Sequence, residues 1–254
     1  MALFTDGTVS SMDDLTAQDS QLLDVASNEG IDVTRKLALA QAELGLELEA
    51  MLGRLAGFDQ PFWCAQPPSI NQVVITSPLR LWHVYRTLEL VYRDAYNNQL
   101  NDRYGAKRDQ FHELGRWAWE KLILAGVGIA ADAVPQAATP LVTAAAGSLA
   151  DGTYYVTSSW VNREGDEGAS ATPAIFMTSE NTLLVQPGVA PANAVGWNVY
   201  VGTTPEAMVL QNATAIDVMQ SWIQPGALVT VGRGPGAGQT ATYMRAIPRA
   251  IQRG

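Results

Sequence analysis

The sequence predicts α + β in separate domains. An N-terminal bundle of about four helices is followed by a small antiparallel β-sandwich and an extended C-terminal tail. Three observations predict this. Up to about residue 130, apolar residues recur at steps of three and four, the spacing of one helix face. At Ala133 the texture shifts to small, uncharged residues and prolines. From Gly152 to about Gly232, short apolar runs recur at roughly ten-residue spacing, each bounded by Gly, Pro or Asn. The expected domains are 1–132, 133–232 and 233–254.

Residues 1–10 read as an irregular arm. Ser10 or Ser11 can cap a helix running to about Ser27, with Asp13 and Asp14 in its first turn. Leu15, Leu22, Leu23 and Ala26 supply its inner face, and Gly30 separates it from the next helix. Ile31 to Gly57 is one long amphipathic helix, capped by Asp32 and stopped at Gly57. Val33, Leu37, Ala40, Leu44, Leu48, Met51 and Leu55 form its main apolar stripe. Leu39, Ala42 and Leu46 form a second, thinner line. A helix apolar on two sides needs two neighbours, from its own chain or from another subunit.

Phe58 to Ser69 is a loop, because Pro61, Pro67 and Pro68 forbid regular structure. Val73 to Ile75 predicts a short strand. Ser77-Pro78 starts a third helix reaching about Gln99, since proline is tolerated in a helix's first turn. Residues 106–127 predict a fourth, with Phe111, Leu114, Ala118, Leu122 and Ala125 in register.

The stretch AVPQAATPLVTAAAGSLADG reads as a linker or an extended lead-in. Strands are expected at TYYVTSSWV, AIFMT, TLLVQP, GWNVYVGT, EAMVLQN and ALVTVG, with NREGDEG as a turn. Gly232 onwards reads as a Gly-rich hinge and a basic tail.

With 254 residues, 47% of them hydrophobic, the chain has enough apolar mass for a core. The net charge of −9 argues against gripping nucleic acid, whose backbone is bound by Lys and Arg. The charge is uneven: before residue 60 the many acids face only Arg35, Lys36 and Arg54. Arg233, Arg245, Arg249 and Arg253 have no acid among them. Opposite ends therefore suit different partners. Cys64 is the only cysteine, so no intrachain disulfide forms, which is compatible with assembly in a reducing cytoplasm. The start lacks the basic-then-apolar pattern of a secretory signal. The longest apolar run, Leu122 to Ala131, is too short to span a bilayer.

The expected chemistry is negative. His112-Glu113 begins like a zinc-protease helix, but Arg116 stands where the second histidine belongs. In GRGPGAGQT, Gln239 replaces the lysine of a phosphate loop and Ala237 the third glycine of a dinucleotide loop. No Gly-x-Ser-x-Gly elbow is present. Asn212-Ala213-Thr214 matches a glycosylation sequon, discounted because nothing suggests secretion. Glu43 and Glu47, one turn apart, are the only pair weighed for hydrolysis of a glycan, as in a virion peptidoglycan hydrolase. A solvated helix face accounts for them better. Trp160, Trp197 and Trp222 are candidates for stacking on host carbohydrate, with a sandwich core as the favoured alternative. No catalytic, cofactor-binding or metal-ligating residue is predicted, and the chain reads as no enzyme.

The stretch DGTVSSMDDLTAQDSQLLDVASNEGIDVTRKLALAQAELGLELEAML, above all its part from Asp24 to Leu52, resembles the head-to-tail adaptor (connector) proteins of tailed bacteriophages. LADGTYYVTSSWVNREGDEGASA and GWNVYVGTTPEAMVLQN resemble the fibronectin type III or immunoglobulin-like modules appended to phage structural proteins. The adaptor resemblance implies a virion neck protein assembled in the host cytoplasm. It implies a homo-oligomeric ring of about twelve copies, bound to the portal on one side and to a tail or nozzle protein on the other. DNA would pass through without specific binding, and no membrane would be involved. It also implies a C-terminal segment docking on the portal, here Tyr243, Met244, Arg245, Ile247, Arg249 and Ile251. Leu39, Ala42 and Leu46 would meet the next subunit.

Overall fold

A computed structural model describes residues 2–56, 68–100, 102–236 and 238–245. The described chain forms two compact units, each discontinuous in sequence. One holds residues 7–129 and 242–245; the other holds residues 2–6 and 130–241. The class is α + β, with helices first and antiparallel sheets after them.

The helical unit contains α1 (Met12–Gln18), α2 (Leu22–Glu29), α3 (Val33–Ala56), α4 (Ser77–Gln99) and α5 (Asp102–Ala125). Ser11 caps α1 by accepting from the Asp14 N–H, while the Asp14 carboxylate accepts from the Ser11 N–H. The single helix expected from Ser10 to Ser27 is two helices, and the cause is Asp19. Its carboxylate is buried and accepts from the Tyr92 hydroxyl (2.6 Å), the Lys107 ammonium (3.2 Å) and the Gln21 N–H (3.0 Å). An acid held from three directions fixes the backbone in an extended conformation and ends α1 there. Gly30, at φ 65°, closes α2 in the left-handed conformation that glycine adopts without strain.

Asp32 caps α3 by accepting from the Arg35 N–H at 3.0 Å. The stop expected at Gly57 lies outside the described residues, as do Phe58 to Pro67 and Cys64. Proline in the first turn starts α4, and its bounds are those expected. α4 is the hub, packing against each of the other four helices. Its Val84, Leu88, Val91 and Tyr92 meet Leu15, Leu22, Leu37 and Phe111 in one core. His83 is fully buried, bonded through Nδ1 to the Ser10 hydroxyl and through Nε2 to the Leu37 carbonyl. It packs, as a histidine inside a bundle does.

After α5 comes β1 (Val127–Ile129), bridged at Ile129 to Val73 and paired antiparallel with the last described strand, β10 (Thr242–Met244). Gly126, at φ 95°, is required beside this pair, since a Cβ there would lie 2.7 Å from the Met244 carbonyl oxygen.

The other unit contains β2 (Leu141–Ala146), β3 (Gly152–Val161), β4 (Ala174–Thr178), β5 (Asn181–Gln186), β6 (Gly196–Gly202), β7 (Val209–Leu210), β8 (Ile216–Asp217) and β9 (Trp222–Ile223). One sheet runs β2-β5-β9. The second runs β4-β3-β6-β7, with β8 also on β6. Val156 and Trp160 of β3, Leu183 and Val185 of β5, and Trp197 and Val199 of β6 share a core between the sheets.

Three expectations are corrected. The supposed linker contains β2, which pairs with β5 along its whole length. ALVTVG is not a strand: the Gln211 side chain takes both the N–H and the carbonyl of Val229 at 3.0 Å, in place of a neighbouring strand. The Gly-rich stretch expected to be a hinge is also held. Glu167, with its side chain 8% exposed, accepts from Arg233, from the Ser159 hydroxyl and from the Tyr200 hydroxyl. Gln239 accepts from the Val134 N–H at 2.6 Å and donates to the Asp132 carbonyl at 2.9 Å.

Candidate functional site

The main apolar stripe of α3 is buried at Val33, Leu37, Ala40, Leu44, Leu48 and Met51. The side chain of Leu55 lies outside the described residues. The second line faces outward: Leu39 is 40% exposed, Leu46 is 69% exposed, and Ala42 between them is exposed too. The second line is therefore not part of the core formed by the described residues.

Leu46 stands at the lip of a cleft of about 530 Å³ formed by α3, α4 and α5. The α3 wall brings Glu43 and Glu47, the α4 floor Trp82, Arg86 and Glu89, and the α5 wall His112, Arg116 and Trp119. Trp82 and Trp119 pack ring against ring, with centroids 4.7 Å apart and planes tilted by 49°. Arg86 donates through Nε to Glu43 (2.6 Å) and through Nη1 to Glu89 (2.8 Å). Burial opposes the charge on Arg86, but the bonds to Glu43 and Glu89 outweigh it and hold its pKa above the usual value. His112 Nδ1 lies 3.2 Å from Glu89. The cleft thus sets the Trp82–Trp119 ring pair beside the Glu43–Arg86–Glu89 ion pairs, with acids on the α3 wall and Arg116 on the α5 wall.

This arrangement suits docking. Glu43, one of the two acids weighed for glycan hydrolysis, is engaged by Arg86, and Glu47 is exposed one turn on. Among the described residues no group of three or more His, Cys, Asp or Glu is placed to hold a metal ion. Also among them, no helix is long and apolar enough to cross a membrane.

Sequence reasoning misses the cleft, though its signal is there. Trp82, Arg86 and Glu89 recur at steps of four and three, and so do His112, Arg116 and Trp119. Each is a line on one helix face beside the apolar stripe. What sequence cannot supply is that α4 brings the two lines together.

The tryptophans weighed for sugar stacking are placed differently. Trp160 and Trp197 are 2% and 0% exposed, so neither has a free ring face. The indole N–H of Trp197 is shared between the carbonyls of Asp217 and Gln220, each at 3.2 Å. Trp222 is half-buried against the same core.

Of the expected docking tail, Tyr243 and Met244 belong to β10, paired opposite Gly128 and Val127. Tyr243 remains 49% exposed. Arg245 donates to the Ala125 carbonyl at 2.9 Å. The tail is therefore anchored through Arg245, and Ile247, Arg249 and Ile251 lie outside the described residues. No family model matches the chain, and no curated protein or solved structure matches it either.

Proposed function

We propose that the chain is a structural subunit of a virion ring that joins a phage portal to the tail and continues the DNA channel. It acts as a homo-oligomer and has no enzymatic activity of its own. The observation that carries the reading is the outward line Leu39, Ala42 and Leu46 beside an inner stripe that is buried from Val33 to Met51 on the same helix. Leu39 and Leu46 lie two turns apart with the exposed Ala42 between them, and a contiguous exposed apolar patch marks an interaction surface. A ring subunit needs such a surface for its sibling. The acidic balance supports a channel wall that does not hold DNA. Portal docking would fall to Tyr243, Met244, Arg245, Ile247, Arg249 and Ile251, with Arg245 and Arg249 meeting acidic groups there.

Negative-stain imaging and mass measurement of the purified chain, alone and mixed with its portal, test this. Rings seated on portals are the expected result. A monomer at every concentration, with and without portal, overturns it.

A further inference from the structure

The helical unit carries a second exposed apolar patch, on the outer side of α5. Trp117 is 45% exposed and Leu124 is 68% exposed. At about 100° per residue, Trp117 and Leu124 lie within roughly 20° of one another around the helix axis. Trp119, which lines the cleft, lies about 200° from Trp117, so the two patches face different ways. Lys121 flanks the ridge on one side, its ammonium 5.8 Å from the centre of the Trp117 ring. Glu113 and Glu120 flank it on the other, and Glu113 is paired with Arg116. Neither Lys121 nor Glu47 has an ion pair among the described residues.

We infer that the Trp117–Leu124 ridge of one copy seats in the α3–α4–α5 cleft of the next, an arrangement that rests on the ring reading. Charge complementarity supplies both the occupant and its orientation. The cleft is acidic on its α3 wall and cationic on its α5 wall, while the ridge is cationic on one flank and acidic on the other. Laid in one sense only, Lys121 faces Glu47 and Glu43 while Glu120 faces Arg116. Trp117 and Leu124 then cover Leu46, Trp82 and Trp119. Such a contact joins two different patches, so each copy has one to give and one to receive. That is the heterologous geometry that closes a ring. The opposite sense sets like charges together and is disfavoured.

Mixing of half-disabled copies tests it. Leu46→Asp disables the cleft and Trp117→Asp the ridge. Both sites are exposed, so both variants should keep the wild-type circular dichroism and melting temperature. Leu124→Asp serves as a second ridge variant should Trp117→Asp misfold. Each alone is expected to weaken self-association at least tenfold, the loss typical of a central interface residue. Mixed together, they should form a one-to-one dimer and nothing larger, because one good ridge meets one good cleft. Glu47→Lys and Lys121→Glu should each weaken association and together restore it. Rings that persist in both Trp117→Asp and Leu124→Asp overturn the inference while leaving the ring reading intact. So does a mixture that stays monomeric while the wild type assembles. A wild-type chain that never self-associates overturns both.

Discussion

Each unit of the chain contains a buried, bonded carboxylate, and the two differ in what they hold. Asp19 sits in the helical unit with its side chain 3% exposed, bound by Tyr92, Lys107 and a backbone N–H. Glu167 sits in the sandwich with its side chain 8% exposed, bound by Tyr200, Ser159 and Arg233. The ingredients are nearly the same: an acid, a tyrosine hydroxyl and a cation. Asp19 interrupts a helix and ties α1 and α2 to α4 and α5. Glu167 ties an irregular Gly-rich run to the face of a sheet. A buried acid stabilises where it is fully bonded, and the element it stabilises depends on which segments bring the donors.

The comparison breaks first at Asp19. Replacing it with alanine removes a charge partner from Lys107 and leaves the Tyr92 hydroxyl without its acceptor. The expected loss is about 3 kcal/mol, confined to the helical unit. Denaturant unfolding followed by hydrogen exchange will show it as faster exchange in α1 and α2, with the sandwich unchanged. An unchanged α1–α2 segment would mean that Asp19 does not hold the break.

Glu167→Gln should cost less, about 2 kcal/mol, because the amide keeps the volume and one acceptor. Arg233 is half exposed, so water takes over much of its share. Exchange should rise around residues 232–240 and leave the helices alone. A loss spread over both units would show that the two acids are not local devices.

The smallest difference is in pH response. Burial holds the His83 pKa below its ordinary 6.5, against the opposing pull of the Leu37 carbonyl and Asp14. The unfolded chain therefore takes up a proton first. The stability tied to neutral His83 is complete above pH 6.5 and declines as pH falls through that value towards the lower folded pKa. At Asp19 burial pushes the carboxyl up, but the bonds from Tyr92, Gln21 and Lys107 together outweigh it and hold the pKa below its ordinary 3.8. The stability tied to ionised Asp19 is therefore present above pH 3.8 and is lost further down, as pH falls through the folded value. Mild acid should thus loosen the helical unit before the sandwich, read by segment-resolved exchange between pH 7 and pH 5. His83→Gln should flatten that response.

What is legible in the sequence are the features written locally. Asp32 and Ser77-Pro78 mark the starts of α3 and α4 because capping and proline act within one turn. The split between the two apolar lines of α3 is also readable, since periodicity alone separates them. The break at Asp19 is not, because its partners Tyr92 and Lys107 lie 73 and 88 residues away. LVTAAA reads as a linker from its small residues and becomes a strand only by pairing with β5. ALVTVG alternates like a strand, and one glutamine side chain takes the place of its neighbour. In the cleft each helix contributes a legible line of side chains, and only their convergence on α4 is hidden.

The pairing of β1 with β10 has a consequence for how the chain is built. Ile129 and Thr242 face each other across that ladder, and everything from 130 to 241 lies between them. In connectivity terms the sandwich unit is the loop of a β-hairpin whose two strands belong to the helical unit. A stop codon after the helices would strip a strand from the unit it was meant to isolate. Joining Ile129 to Thr242 through a two-residue Asn-Gly turn would keep both strands and remove only the loop.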